Sequence, residues 1–255
     1  MTHVLPTRIA TRGRSVQRVI LAAAILATAA MFLVLLLPWD QVDELTDEDG
    51  LFESLGSLVC FIAAALFLVA YLKSTSGTRI FRWTTKRNLF FLLFAIGMLF
   101  IGAEEISWGQ RILDIRTPDA LESLNDQGEF NLHNIKALEQ TGLSKKGFNT
   151  AFLGLVFLYC GVVPVAVRLW GRFRRFVETL DLPLPPPLLC VVIVAAVVGF
   201  EVVKRLSEAD RADAIGELRE ADLQVLFMLM ACSFLAAVLA ARREARSRQM
   251  PPAPG

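Results

Sequence analysis

Histidine is nearly absent from this 255-residue chain, which has only His3 and His133. A histidine-rich zinc site is therefore excluded. Cysteine is scarce too. Cys60, Cys160, Cys190 and Cys232 include no Cys-x-x-Cys pair, and each falls in an apolar run. They read as small packing side chains and say little about redox compartment. Charged residues make up 20% against 55% hydrophobic, which excludes a disordered chain and fits an ordinary soluble domain poorly. There is no Gly-rich phosphate loop, dinucleotide fingerprint, Gly-x-Ser-x-Gly elbow or internal repeat. No reading motif or aromatic stacking platform for nucleic acid occurs either, so no nucleic-acid role is assigned.

What the chain does have is long apolar runs. Six uncharged stretches, 19–37, 55–72, 89–103, 151–167, 188–200 and 223–241, approach the roughly 20 residues a helix needs to cross a bilayer. Arginines precede the first, as in a signal peptide, but the run is long and Pro38-Trp39-Asp40 follows it in place of a small-residue cleavage site; it is read as a retained helix. The expected fold is all-α: a polytopic membrane helix bundle of six transmembrane helices. It divides into a basic tail (1–18), a six-helix membrane domain (19–241) and a basic, Pro-rich tail (242–255).

The net charge of +1 is a cancellation. The N-terminal region, the second and fourth loops and the C-terminal region carry 17 basic residues and three acids. The first, third and fifth loops carry nine basic residues and 22 acids. By the positive-inside rule the first set is cytoplasmic, with both tails inside. The outward face is then strongly acidic, and most of its acids, such as Asp40, Asp43 and Glu44, read as solvated.

Some acids sit too deep for that reading. At 1.5 Å per residue, Glu104 lies about 24 Å along its helix from Asn88, and Glu201 about 21 Å from Pro187, short of a far edge about 30 Å away. Intramembrane carboxylates are functional candidates, because an unpaired charge there is costly. The bland alternative is a tilted or short helix with both acids at headgroup level. Glu104, Ser107, Trp108 and Arg111 share one helical face, and Glu105 points elsewhere. Glu201, Lys204 and Glu208 share another, with Lys204 a partner for Glu201 or for a third-helix carboxylate. Glu217, Glu220 and Gln224 share a third.

The longest connection, 104–150, is expected to fold back as a helical lid or re-entrant element. Thr117-Pro118 reads as a helix start, and a second short helix is expected over about 131–140. If helical, Glu129 and His133 share a face and form an acid–base pair or bind one metal. With a single histidine among carboxylates, a metal at Glu104, Glu129 and His133 would be Mg²⁺, Ca²⁺ or Mn²⁺. A metal-free site, or a purely structural His133, is the alternative.

The runs Glu104-Glu105-Ile106-Ser107-Trp108-Gly109-Gln110-Arg111 and Asn125-Asp126-Gln127-Gly128-Glu129-Phe130-Asn131-Leu132-His133-Asn134 resemble the signature of a family of uncharacterised multi-pass bacterial membrane proteins, E-E-x-S-W-G-Q-R followed by N-x-Q-G-E-x-N-L-H-N. The likeness covers about 30 residues. It implies an integral protein of the bacterial cytoplasmic (inner) membrane, and it implies a site without naming a reaction.

Three functions compete. The first is a membrane-embedded hydrolase or group transferase acting at the outer leaflet on a lipid or lipid-linked substrate. Its catalytic candidates are Glu104, Glu105, Glu129, His133 and Glu201. Its substrate-binding candidates are Ser107, Trp108, Gln110, Arg111, Asn125, Gln127, Asn131, Asn134 and Lys204; Arg111 and Lys204 suit a phosphate or carboxylate. The second is a proton- or cation-coupled transporter. The third is a non-catalytic subunit or assembly factor docking through 104–150. Expected partners are membrane lipids and a homo-oligomer or larger membrane complex.

Overall fold

The computed structural model describes residues 14–47, 50–80, 82–113 and 145–247. Apart from a small hairpin, β1 (Arg79–Ile80) against β2 (Trp83–Thr84), its regular elements are helices. In chain order these are α1 (Arg14–Val34), α2 (Trp39–Thr46), α3 (Leu51–Lys73), α4 (Leu89–Glu105), α5 (Gln110–Leu113), α6 (Lys145–Val156), α7 (Val163–Leu169), α8 (Gly171–Leu180), α9 (Pro187–Leu206) and α10 (Ala212–Ser247). A π-helical stretch, Phe157–Val162, joins α6 to α7. Pro164 has no amide hydrogen to give the carbonyl of Cys160, so the ladder widens in that turn.

Five helices are long and apolar enough to cross a bilayer: Ser15–Val34, Leu51–Lys73, Asn149–Leu169, Pro187–Leu206 and Ala209–Ser247. That composition is that of an integral membrane protein with several passes. The apolar run expected over 89–103 forms α4, which has 17 residues. That is about 25 Å of helix against a hydrocarbon core of about 30 Å, and its last two residues are Glu104 and Glu105. The lid expected between the third and fourth spans falls mainly on residues 114–144, outside the described residues. Two elements went unexpected: the hairpin, and α8, whose Arg172, Arg174 and Arg175 are exposed while Val177 is buried.

The long segments alternate in direction, so most of the described acids gather at one end of the bundle and most of the described basic residues at the other. α10 lies at the centre, packed along α3 and also against α1 and α9, and α3 packs equally closely on α4. Small residues permit that approach. A Cβ on Gly102 of α4 would lie 2.9 Å from Cys60 Cβ of α3, and one on Gly56 of α3 would lie 1.9 Å from Gln224 Oε1 of α10.

The half nearer the basic end is filled by Phe67, Phe91, Phe94 and Phe234, with ring centroids 5.3 to 6.5 Å apart. Asn88 closes that end. Its Oδ1 accepts the Phe90 amide at 3.0 Å as the N-cap of α4, and its Nδ2 donates to the Asp181 carbonyl at 2.6 Å, tying α4 to the end of α8. At the acidic end Val42 of α2 is fully buried against Phe200, Ala214, Ile215 and Leu218, and Phe32 stacks on Phe200 at 4.3 Å.

Candidate functional site: an acid-walled cleft

Between α4, α6, α9 and α10, with α2 and the start of α3 as its rim, lies a cleft of about 1310 Å³. Pockets for drug-sized ligands span roughly 300–1,000 Å³. Phe100, Phe152, Phe157, Val197, Leu223 and Phe227 form its apolar floor. Each lies on its helix closer to the bundle middle than the acids of the wall. Among the described lining residues ten are acidic, and Lys204, Arg205 and Arg219 are the basic ones.

Glu104 is buried at the end of α4. The continuous face expected for Glu104, Ser107, Trp108 and Arg111 does not form, because α4 stops at Glu105. Ser107 (φ 45°), Trp108 (φ 56°) and Gly109 (φ 79°) then turn through left-handed backbone before α5. That conformation costs a non-glycine residue about 1–2 kcal/mol, and two of the three residues are not glycine. The turn brings the Trp108 indole back over the helix end, where Nε1 donates to Glu104 Oε1 at 2.5 Å and the ring meets Phe100 edge-on at 5.7 Å. Ser107 is fully buried, Gln110 half-buried, and Arg111 lies on α5.

Glu105, half-buried, faces α10 as its different helical phase predicts. Its Oε1 accepts from Gln224 Nε2 at 2.8 Å. Glu217 and Glu220 line the same wall, so the face expected for Glu217, Glu220 and Gln224 does open into the cleft. Glu201 also lines it, with a different partner from the expected one. Lys204 makes no ion pair among the described residues; Arg219 of α10 takes Glu201 instead. Two registers explain this. Lys204 Nζ lies 3.2 Å from where a Gly216 Cβ would stand, whereas Arg219, one turn on, points inward at the level of Glu201.

Arg219 is the residue the sequence reading missed. It is 2% exposed. Besides Glu201 it donates from Nη2 to Asn149 Oδ1 at 3.0 Å and to Glu220 Oε1 at 3.2 Å, and Asn149 Nδ2 donates to Glu220 Oε1 at 2.8 Å. Asp222, fully buried one turn deeper, was missed as well; Thr28 Oγ1 of α1 donates to both its oxygens at 3.1 and 3.0 Å. The signal was available. Ile215, Arg219, Asp222, Leu226 and Met230 follow one helical stripe, and a polar residue on a core stripe demands a reason.

Glu129, His133, Asn125, Gln127, Asn131 and Asn134 lie outside the described residues. Among the described residues no group of three histidine, cysteine, aspartate or glutamate side chains is placed to hold a metal ion. The four cysteines are free, three of them buried. No family model, no curated protein and no solved structure matches the chain.

Proposed function

We propose that the protein is a hydrolase or group transferase of the bacterial inner membrane, acting from its outward face on a lipid or lipid-linked substrate. The observation that carries this reading is the amphipathic cleft: buried and half-buried carboxylates of three helices stand above a phenylalanine-lined floor. An acyl or polyprenyl chain suits the floor, and the scissile group then lies at the level of Glu104, Glu105 and Glu201. A carboxylate there serves as general acid or base. Trp108 orients Glu104, and Gln224 orients Glu105. His133 and Glu129, from the segment resembling the uncharacterised bacterial family, complete the proposed site.

The proposed topology has six crossings, with α4 completed by the Ser107–Gly109 turn and α5, and with both tails in the cytoplasm. Exposed basic residues such as Arg18, Lys73, Arg87, Arg172 and Arg243 sit at one end of the bundle, and the cleft opens at the other.

The transporter reading gains less support. No described residue nearer the basic end than Val197, Phe227 or Phe157 lines the cleft, and beneath it Phe67, Ile193, Met230 and Phe234 are packed and buried.

The test is lipid profiling of cells lacking the protein, complemented with wild type, Glu104→Gln or His133→Ala. We expect one lipid or lipid-linked species to accumulate in the deletion, wild type to clear it, and neither variant to do so while both insert normally. Clearance by both variants would sink the assignment of the site.

A further inference from the structure

We infer that α8 and the β1–β2 hairpin form one surface that binds the phosphate groups of anionic phospholipid at the basic end of the bundle. The inference is independent of the reaction proposed for the cleft.

Both elements connect membrane helices. The hairpin lies between the end of α3 at Lys73 and the start of α4 at Leu89, and α8 lies between Leu169 of α7 and Pro187 of α9. They are neighbours, because α8 packs against β1. The hairpin is held firmly to α4. The Thr85 amide donates to the Thr78 carbonyl at 3.0 Å and the Leu89 amide to Thr78 Oγ1 at 2.8 Å. A Cβ on Gly77 would fall 1.6 Å from the Thr85 carbonyl oxygen.

The charge on this surface is one-sided. Residues 74–88 contain no acid. Arg79, Arg82 and Lys86 there, and Arg172 and Arg175 of α8, are exposed. The ion pairs among the described residues involve none of them. The acids of residues 170–186 are Glu178, which is half-buried, and Asp181, which accepts from Asn88 Nδ2 at 3.0 Å. Arg174 is set apart, since its Nε donates to the Val167 carbonyl at 3.0 Å.

Exposed apolar rings stand among these cations. Trp83 is 80% exposed and pairs across the hairpin with Ile80. Trp170, 64% exposed, precedes α8, and Phe176 is exposed one turn from Arg172. Membrane orientation calls for basic residues in these connections but not for exposed rings beside them. Tryptophan at a helix end sits at headgroup level, which sets the guanidinium groups among lipid phosphates. A soluble anion would meet the cations and leave the rings in water. A choline lipid brings its own cation to the arginines, whereas phosphatidylglycerol offers an uncompensated phosphodiester charge.

Tryptophan quenching tests this in the purified full-length protein, held in nanodiscs of phosphatidylcholine with a rising share of brominated phosphatidylglycerol or brominated phosphatidylcholine. We expect phosphatidylglycerol to be preferred at least about tenfold, and the preference to collapse in about 1 M salt, where the Debye length is about 3 Å. Arg172→Gln with Arg175→Gln should cut it at least about fivefold, and Arg79→Gln with Arg82→Gln likewise. Arg172→Lys with Arg175→Lys should keep most of it. Arg243→Gln with Arg246→Gln, at the exposed end of α10, should leave it unchanged. Equal quenching by the two lipids would overturn the inference, as would an unchanged preference in either glutamine pair on α8 or the hairpin. An equal loss in the α10 pair would also overturn it, by showing general attraction to a basic end. Displacement of the lipid by excess free glycerol 3-phosphate would replace it with a soluble phosphate ligand.

Discussion

Arg219 joins three elements at one point: α10 to Glu201 of α9 and, through Asn149, to α6. Removing one partner of a buried ion pair costs more than the pair is worth, because the other charge stays behind. Arg219→Gln should therefore lower stability by about 3 kcal/mol, the low end of the usual range because the Glu201 and Glu220 side chains remain 31% and 33% exposed. Thermal unfolding in detergent would show a clear drop in midpoint. Adding Glu201→Gln should recover part of it, since removing both partners is milder than removing one. An unchanged midpoint in the single variant would mean the pair contributes nothing. At this scale the chain was half legible. Glu104, Glu105 and Glu201 stand out in sequence as charges abutting apolar runs. Arg219 does not, because it sits among Glu217, Glu220 and Asp222, where a basic residue looks like one more surface charge.

Between elements, the decisive contacts are close approaches. Gly56 of α3 lies so near Gln224 of α10 that a methyl group there would fall 1.9 Å from the amide oxygen. Gly56→Ala should push the Gln224 side chain away and release Glu105 from its 2.8 Å hydrogen bond. We expect about 1–3 kcal/mol of destabilisation, as for other overpacked positions, with a loss of the proposed lipid turnover that Gly56→Ala combined with Gln224→Ala only partly restores. Full activity in Gly56→Ala would mean that Gln224 does not position Glu105. Hydropathy located α3 and α10 along the chain, yet nothing in either run announced that they meet at Gly56. The kink after α4 was equally hidden. Ser107-Trp108-Gly109 reads as a plain continuation of the helix, and only Gly109 favours the left-handed backbone that all three adopt.

For the molecule as a whole, the proposed orientation predicts a labelling pattern. The native cysteines lie within helices, three of them buried, and give a low background. In intact cells a membrane-impermeant maleimide should label Asp47→Cys at the acidic end and spare Arg172→Cys on α8, which reacts only after lysis. The reverse pattern would overturn the topology and the outward opening of the cleft with it. The helical class, the five helices long and apolar enough to cross a bilayer and the segregation of charge were determined by the sequence alone, because hydropathy, helical period and loop charge are local properties that need no neighbour to act. Which acid meets which base, and that ten acids and a phenylalanine-lined apolar floor share one cleft, was decided only in the tertiary structure. Those pairings depend on how far each helix is rotated and how closely two of them approach, and both are set by small residues such as Gly56 and Gly102, whose partners lie on another helix distant in the chain.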